Sequence, residues 1–469
     1  MPSMRLRRSL PPIVLALLLA GCATVTPPPQ PPASAPPQAP APPPSDVAQQ
    51  AATYRSAADA PRILETLDLL LASRNQTAAD LSNADLTTYS NLLLAAGRLP
   101  EAEQALNVLD GRVPGERTTL WSLALLAGAR GDAKAQEARL QALEKAFPGD
   151  TQAANLRARQ LLSRGDRVGA KAAWTAILAQ KEDPEALMGL VDLALNAQKP
   201  KEALPLADRA LKASPDDDQA WALHARVLVA LEQYTGARRD LDKALTLAPN
   251  DPWHRLDRGK LAWLHLYDLD LAQADLEFAT IKDPKNFFSW SALAEVYEEL
   301  KRPRQAYDAW LKALSLRPDY RFAYPSTAML AFRYQDFTRA AAFAKEAAKD
   351  YPAEYAFPFV EALSRRALGQ PQEATQVLEK ARPRFTRGST VDEMFRFLLT
   401  PGQDYYLNTA LNLEKKENVR LRLRFYQGCV YALGKSAASA RAAFEEVSAS
   451  TLERIPEIAA ARDWLEHGL

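Results

Sequence analysis

Cysteine and histidine are scarce in this 469-residue sequence, which holds two cysteines and four histidines. A zinc framework uses about four cysteine or histidine ligands at short spacings, and a disulfide-rich scaffold needs several cysteine pairs. The sequence therefore excludes both classes of protein. The four histidines are also not spaced as a pair of metal ligands on one helix face. We expect no metal and no other cofactor.

An excess of basic residues is also absent, since 58 Lys and Arg stand against 57 Asp and Glu. The first 22 residues carry Arg5, Arg7 and Arg8 and no acid, so the rest of the chain has 55 basic and 57 acidic residues. A protein that binds nucleic acid by neutralising phosphates needs a basic surface. We therefore expect no nucleic-acid partner.

Motifs that organise catalytic sites are missing as well. The sequence contains no G-x-x-x-x-G-K-[ST], no G-x-G-x-x-G, no H-E-x-x-H and no G-x-S-x-G. Neighbouring carboxylates such as Glu298 and Glu299 fall in segments typical of solvated helix surface. Because no nucleophile and base are paired by spacing, the sequence favours a protein that is not an enzyme.

The first 22 residues have the organisation of an export signal. A basic head precedes eight uninterrupted apolar residues, Ile13 to Ala20. This run is too short to span a bilayer, which takes about 20 residues, and it fits the core of a signal peptide. Leu19-Ala20-Gly21-Cys22 then resembles the lipobox of bacterial lipoproteins. An ordinary cleaved signal with a chance cysteine is the alternative.

The lipobox resemblance implies a location for the protein. In that family residues 1–21 are removed, and Cys22 is acylated and becomes the mature N-terminus, where several acyl chains anchor the protein. Ala23, which stands where Asp would retain an enterobacterial lipoprotein in the inner membrane, implies sorting to the outer membrane. The expected location is the periplasmic side of the outer membrane, with membrane attachment through Cys22.

A proline-rich segment follows the expected lipid anchor. Residues 27–44 contain 11 prolines in 18 positions. Proline lacks an amide donor and fixes φ, so residues 22–51 are expected to be a disordered or polyproline-II tether. At roughly 3.1 Å per residue, such a tether reaches up to ~90 Å from the bilayer. An inert linker of drifted composition is the alternative.

The remaining chain repeats one pattern about every 34 residues. A mostly small side chain recurs with that period, and a proline follows 12 residues after most of its copies. Small residues allow two helices to approach closely, and proline ends the second helix. The recurring positions are Ala102, Gln136, Ala170, Ala203, Ala237, Ala272, Ala306, Ala340 and Ala374.

This pattern resembles the tetratricopeptide repeat, a helix-turn-helix unit of 34 residues. The sharpest copy reads Trp290-x-x-Leu293-Ala294-x-x-Tyr297, followed by Ala306-x-x-x-Trp310-x-x-Ala313 and Pro318. The resemblance implies an all-α protein whose hairpins stack into an α-solenoid, a right-handed superhelix. The first helix of each hairpin would line a concave surface that binds proteins or peptides.

The repeat positions divide the chain. We expect a capping helix region at 52–82, nine hairpins over 83–388, a degenerate hairpin at 389–420, and a final unit with a C-terminal capping helix at 421–469. The unit that begins near Pro252 carries one extra residue around Leu266–Leu271. The run Val419–Phe425 alternates with period two, so a short strand is an alternative there to the start of a helix.

Aromatic residues concentrate in one region, because residues 287–359 hold 17 of the 38 Phe, Trp and Tyr. Some of these aromatics occupy core positions of the repeat, but others fall at first-helix positions that face the concave side. Exposed aromatics with arginine are typical of protein-binding hot spots. The alternative is that the superhelix curls on itself and buries them. The candidate partner-binding residues are Phe288, Glu295, Phe322, Met329, Phe332, Arg333, Phe359 and Arg366.

Two kinds of binding function fit these features. The first is a scaffold or adaptor at the outer membrane, which binds protein partners in assembly or maintenance of the cell envelope. The alternative is a periplasmic carrier of a peptide or polysaccharide, for which the aromatic surface would be a stacking site. Both rest on the architecture, and an architecture does not fix a function.

Overall fold

The computed structural model describes residues 46–51, 59–400, 402, 404–452 and 455–467. The expected signal peptide at 1–21, the lipidation of Cys22 and residues 23–45 of the expected tether lie outside the described residues. The prediction that the disordered tether extends to residue 51 is wrong, because Asp46–Ala51 form a helix and Val47, which is 3% exposed, packs in the adjoining hydrophobic core. The described residues divide into two compact units, with the boundary between Pro284 and Lys285.

The described residues form 25 α-helices and contain no β-strand. The predicted all-α solenoid is therefore confirmed. Val419–Phe425, for which a strand was an alternative, lies within a helix. None of the described helices is both long and apolar enough to cross a bilayer.

The first unit consists of two leading helices, of 6 and 14 residues, and six helical hairpins. Its helices are α1 (Asp46–Ala51), α2 (Ala60–Ser73), α3 (Asn83–Ala95), α4 (Leu99–Arg112), α5 (Arg117–Ala129), α6 (Ala133–Ala146), α7 (Thr151–Ser163), α8 (Arg167–Gln180), α9 (Pro184–Asn196), α10 (Pro200–Ala213), α11 (Asp218–Ala230), α12 (Tyr234–Leu247), α13 (Pro252–Leu261) and α14 (Leu269–Lys282).

The second unit continues with five hairpins and a terminal helix. Its helices are α15 (Phe287–Glu299), α16 (Pro303–Leu316), α17 (Tyr324–Arg333), α18 (Phe337–Asp350), α19 (Ala356–Ala367), α20 (Pro371–Ala381), α21 (Thr390–Leu399), α22 (Asp404–Leu413), α23 (Glu417–Leu433), α24 (Ala437–Ser448) and α25 (Pro456–His467).

Small residues set the spacing of the two helices in each hairpin. All eight of the recurring alanines are 0% exposed. Gln136 is the larger residue in the series, and it faces Gly128, where an added Cβ would lie 2.4 Å from Gln136 Nε2. A small partner therefore makes room where the repeated position is large.

The extra residue of the α13–α14 hairpin is accommodated by a change of helix type. After Leu261 the helix continues as one π-helical turn, Ala262–Leu266, which ends at Tyr267 in the left-handed conformation. A π turn takes up one residue more than an α turn without breaking the helix. The following helix, α14, can therefore start with the same small residue, Ala272, in its buried position.

The cores of the two units are organised differently. The first unit has a series of small apolar clusters, each shared by successive hairpins, such as Trp174 with Ala158 and Ala186. The second unit has one continuous cluster that extends from Tyr307 to Trp464. This single core forms because first helices α17, α19 and α23 pack together and α25 packs against α17 and α23.

Candidate functional site

In the first unit, the first helices of successive hairpins contact one another from α3 through α5, α7, α9 and α11 to α13. One side of each first helix is therefore available to form a continuous surface across several hairpins. Repeat proteins use such surfaces for binding.

Charged side chains connect three of these first helices. Arg159 on α7 lies 3.0 Å from the Glu185 carboxylate on α9, measured from Nη1 to Oε1. Arg226 on α11 donates to Asp192 on α9 at 3.2 Å. These four side chains, which we name the charged face, are between 20% and 36% exposed. They are paired between hairpins and remain partly exposed to solvent.

Ionisation of the two carboxylates of the charged face is disfavoured by burial, and the neighbouring arginines offset only part of this effect. Burial raises the pKa of Glu185, and the charge of Asp183 adds to this against the opposing effect of Arg159. Burial likewise raises the pKa of Asp192, although Arg226 opposes it. The ionised carboxylates therefore lack part of the stabilisation that they would have in water.

A buried amide lies beside the charged face. Asn155, one turn before Arg159 on α7, is 1% exposed. Its Nδ2 donates to Asp183 Oδ1 at 2.9 Å. Its Oδ1 has no hydrogen-bond partner within the described part of the chain. The Asn155 amide thus connects α7 to Asp183, which precedes α9.

In the second unit, α25 covers part of the surface predicted to bind a partner. Arg333 donates to the Asp463 carboxylate at 2.5 and 3.0 Å. Trp464 Nε1 donates to the Arg333 carbonyl at 2.8 Å. The rings of Phe332 and Trp464 are 5.3 Å apart, and Phe332 is 1% exposed. Phe332 and Arg333 are therefore engaged by the chain's own terminal helix.

Phe359, Arg366 and Met329 also pack inside the second unit. Phe359 is 0% exposed and contacts Phe395, with ring centroids 4.6 Å apart. Arg366 donates to the Leu398 carbonyl, and burial lowers its pKa. Met329 is partly buried against the core. The expectation that Phe332 and Phe359 face an open surface is thus corrected, because the first helices of this unit converge.

Phe288, Glu295 and Phe322 lie at a separate aromatic cluster. Phe288 contacts Phe287, and Phe287 lies 4.7 Å from Tyr320, measured between ring centroids. Tyr320 contacts Phe322, which is 47% exposed. Burial and the charge of Glu295 raise the pKa of Tyr320. Three of the eight predicted residues therefore share one surface region. The other five lie on α17 and α19, where the first helices of the second unit pack together.

A cluster of one histidine and two aspartates joins α11 and α13. The potential ligand atoms of Asp218, Asp251 and His254 lie within 4.8 Å of one another. His254 Nε2 is 2.7 Å from Asp218 Oδ2, and Asp251 Oδ1 accepts hydrogen bonds from the first amides of α13. The positive ends of both helices disfavour a cation there. The geometry fits a hydrogen-bonded link between hairpins better than a metal site.

Sequence reasoning missed the charged face, although a signal was present. Arg159, Asp192 and Arg226 are separated by 33 and 34 residues, so they occupy one repeat position in three successive first helices. The aromatic enrichment of residues 287–359 gave no indication of this row of charged residues. Charged residues usually indicate solvated surface, whereas here the charged side chains of successive hairpins pair with one another.

A family match agrees with the observed hairpins. The family described as tetratricopeptide repeat matches residues 155–218 and 188–252. This stretch contains the charged face. The chain therefore contains tetratricopeptide repeats, which generally act as scaffolds for protein interaction. No curated protein matches the sequence of the chain.

Several solved structures resemble parts of the chain. A thermophilic TPR protein of Thermus thermophilus is 24% identical, with 38% of this chain and 97% of that chain covered at a TM-score of 0.34. Pseudomonas aeruginosa pilF is 17% identical, with 45% and 96% covered and a TM-score of 0.37. The human IFIT1 dimer with m7Gppp-AAAA is 15% identical, with 83% and 94% covered and a TM-score of 0.41.

Proposed function

We propose that this protein is a lipid-anchored scaffold on the periplasmic side of the outer membrane, which binds protein partners in assembly or maintenance of the cell envelope. The anchor rests on the basic head, the short apolar run and Leu19-Ala20-Gly21-Cys22. The proline-rich residues 27–44 would hold the hairpins away from the bilayer.

The observation that carries the scaffold proposal is the partly exposed row of charged side chains along α7, α9 and α11. A surface that runs across several repeats, with ordered polar groups that remain accessible, suits an extended protein segment. A role in binding also agrees with the lack of a paired nucleophile and base in the sequence.

The carrier function has less support. A stacking surface for such a ligand would require Phe332 and Phe359 to be exposed, but both side chains are buried in the second unit. The accessible aromatic region contains Phe288 and Phe322, and it is flanked by charged side chains such as Arg317, which stacks over Phe287 at 5.2 Å. A protein partner fits this mixture of aromatic and charged groups better than an uncharged polysaccharide.

Photo-crosslinking in the native cell envelope tests the scaffold proposal. Met188 lies on α9 between Glu185 and Asp192, and a photoreactive residue there should give discrete crosslinks to protein. Val168 on α8 is 82% exposed and is the matched control on a second helix. Crosslinks of equal pattern from both positions, or none from Met188, would contradict a specific surface.

The anchor is tested by replacing the acylated residue. Cys22→Ser should move the protein from the membrane fraction to the soluble periplasmic fraction, because the thiol that carries the lipid is lost. Labelling with a radioactive fatty acid should disappear in the same variant. If Cys22→Ser still fractionates with the outer membrane, attachment through Cys22 is wrong.

A further inference from the structure

One side of α22 carries large apolar side chains that face solvent. Tyr405, Tyr406 and Leu413 are 76%, 57% and 75% exposed, whereas Leu407 and Leu411 of the same helix are buried in the core of the second unit. With 3.6 residues per turn, the three exposed residues fall within about 100° of one side of the helix. We name these three residues the α22 surface. The helix is therefore apolar on two sides, and only one of them packs on the core.

A contact within the α21–α22 hairpin fixes which loops lie near this surface. Thr390 Oγ1, in the first turn of α21, donates to Glu414 Oε2, just beyond the end of α22, at 2.7 Å. The loop of residues 382–389, which precedes α21, therefore lies at the same end of the hairpin as Leu413. Two loops thus flank the exposed leucine.

These two loops give that end of the hairpin a positive charge. Residues 382–389 contain three arginines and no acid. One of them, Arg382, pairs with Asp392 at 2.6 Å. Four further basic side chains at this end, which we name the basic end, are exposed: Arg384, Arg387, Lys415 and Lys416. Glu414 and Glu417 are the acids beside them, so positive charge is in excess.

The small size of the α22 surface favours a bilayer over a folded protein as its partner. At about 200 Å² per large side chain, the exposed parts of its three residues add up to roughly 400 Å². A stable protein interface covers about 800 Å² on each partner. A bilayer needs no matching shape, because apolar side chains enter it and basic side chains attract anionic headgroups. Tyrosine is also enriched where a bilayer meets water.

We propose that the α22 surface and the basic end contact the surface of a bilayer that contains anionic phospholipid. Tyr405, Tyr406 and Leu413 enter the headgroup region, and the four basic side chains pair with lipid phosphates. This inference extends the anchor of the proposed function, because the lipid on Cys22 would hold the chain at a bilayer. A contact of so few side chains is weak and salt sensitive on its own. It therefore orients the anchored protein and does not replace the anchor.

Vesicle binding without the anchor tests this contact. The protein is the chain from residue 22 onward with Cys22→Ser, and the vesicles contain one part phosphatidylglycerol to two parts phosphatidylcholine. Sedimentation at low salt should show binding that is at least about tenfold weaker with pure phosphatidylcholine, because the basic side chains lose their anionic partners. Raised salt should weaken binding to the anionic vesicles. No binding to these vesicles, or equal binding to both kinds, would overturn the proposal.

Replacing the two tyrosines tests the apolar part of the contact. Tyr405→Ser with Tyr406→Ser should weaken binding to the anionic vesicles about tenfold, because two rings no longer enter the headgroup region. Tyr267→Ser is the matched control, since Tyr267 is 78% exposed but lies in the first unit. It should leave the affinity unchanged. Circular dichroism checks that the helices of each variant are intact. If the double variant binds as tightly as the parent protein, the α22 surface is not the contact.

Replacing two arginines tests the basic end. Arg384→Gln with Arg387→Gln should weaken binding to the anionic vesicles about tenfold. The control with the same loss of charge is Arg167→Gln with Lys171→Gln, whose side chains are exposed on α8. This control should weaken binding by less than about threefold, because its charges lie away from the proposed contact and are screened. Equal weakening by both pairs would show that only net charge matters, and the basic end would be wrong.

A fluorescent label shows whether α22 itself meets the bilayer. Thr409 lies on the exposed side of the helix. In the Cys22→Ser chain, Thr409→Cys supplies the accessible thiol, because Cys429 is 0% exposed. An environment-sensitive fluorophore on this thiol should brighten when anionic vesicles are added, whereas the same label on Val168→Cys should not. An unchanged signal at Thr409→Cys in the presence of bound vesicles would overturn the proposal.

The outcomes separate this contact from the scaffold proposal and from other occupants. If vesicles are not bound, but Met188 gives protein crosslinks and Cys22→Ser releases the protein from the membrane, the bilayer contact is wrong and the anchored scaffold stands. If the protein self-associates without lipid, and Tyr405→Ser with Tyr406→Ser abolishes this association, a second copy covers the α22 surface. The bilayer contact is then wrong as well.

Discussion

Small side chains decide how closely the helices of each hairpin approach. The sequence revealed these positions through their period, and the buried alanines confirm the close-packing argument. In the last hairpin, Gly428 on the first helix α23 lies where that helix faces the second helix α24. An added Cβ there would lie 2.7 Å from Phe444 Cε1 and 3.1 Å from Ala443 Cβ. The missing side chain of Gly428 thus makes room for the buried ring of Phe444.

Gly428→Ala should therefore destabilise the protein despite the better helix propensity of alanine. Overpacking costs about 1–3 kcal/mol, and propensity returns up to about 1 kcal/mol. Urea unfolding followed by circular dichroism should show a lower midpoint for this variant. Gly111→Ala on α4 is the control, because no atom lies within 4 Å of its Cβ position. A midpoint raised as much by Gly428→Ala as by Gly111→Ala would contradict the steric argument.

The burial and the contacts of single residues at the candidate site could be predicted only in part. Repeat position predicted that Phe332 and Arg333 face the concave side, whereas the structure buries Phe332 and pairs Arg333 with Asp463. Their burial follows from Asp463 and Trp464, which are 130 and 132 residues further along the chain than Arg333 and Phe332. A periodic pattern carries no information on so distant a contact.

At the scale of helices, a buried hydrogen bond joins two successive hairpins of the first unit. His254 on α13 contacts Asp218 on α11. Burial alone would lower the pKa of His254, but the hydrogen bond to Asp218 and the charges of Asp251, Asp218 and Asp257 outweigh burial and raise it. The protonated imidazole is thus favoured in the folded protein.

This raised pKa predicts a pH dependence of stability. A group whose pKa is raised by folding stabilises the folded state fully below its unfolded pKa, here about 6.5, and this contribution is lost as the pH rises through the folded value. The melting temperature should therefore fall from about pH 6 toward alkaline pH. His254→Asn should reduce this dependence, whereas the exposed His467→Asn should not. An equal pH dependence in all three proteins would exclude a contribution from His254.

Helices were predictable because the signals that form them are local. Proline follows most second helices, and aspartates such as Asp150 and Asp183 accept hydrogen bonds from the first amides of α7 and α9. The 34-residue period then places helices in pairs. For the π turn at Ala262–Leu266, the sequence indicated only that one extra residue is present. The type of turn could not be predicted, because it depends on keeping Ala272 buried.

For the whole molecule, the sequence predicted a row of hairpins but not two modes of packing. In the first unit each cluster is shared by neighbouring hairpins, as expected of a solenoid. In the second unit α17, α23 and α25 are in contact, so residues far apart in the chain share one core. This closure results from aromatic side chains on converging helices. Aromatic enrichment indicated an unusual region there without showing whether it was open or closed.

The two packing modes should respond differently to the same kind of cavity. Trp174→Ala in the first unit and Trp464→Ala in the second each remove a buried indole, at a cost of about 3–5 kcal/mol. Measured by hydrogen–deuterium exchange, Trp174→Ala should increase exchange in α7 to α10 while α3 and α4 stay protected. Trp464→Ala should increase exchange in α17 as well as in α23 to α25, because Trp464 packs on Phe332 and Phe425. Uniform loss of protection across the first unit, or an effect of Trp464→Ala confined to α24 and α25, would contradict this difference.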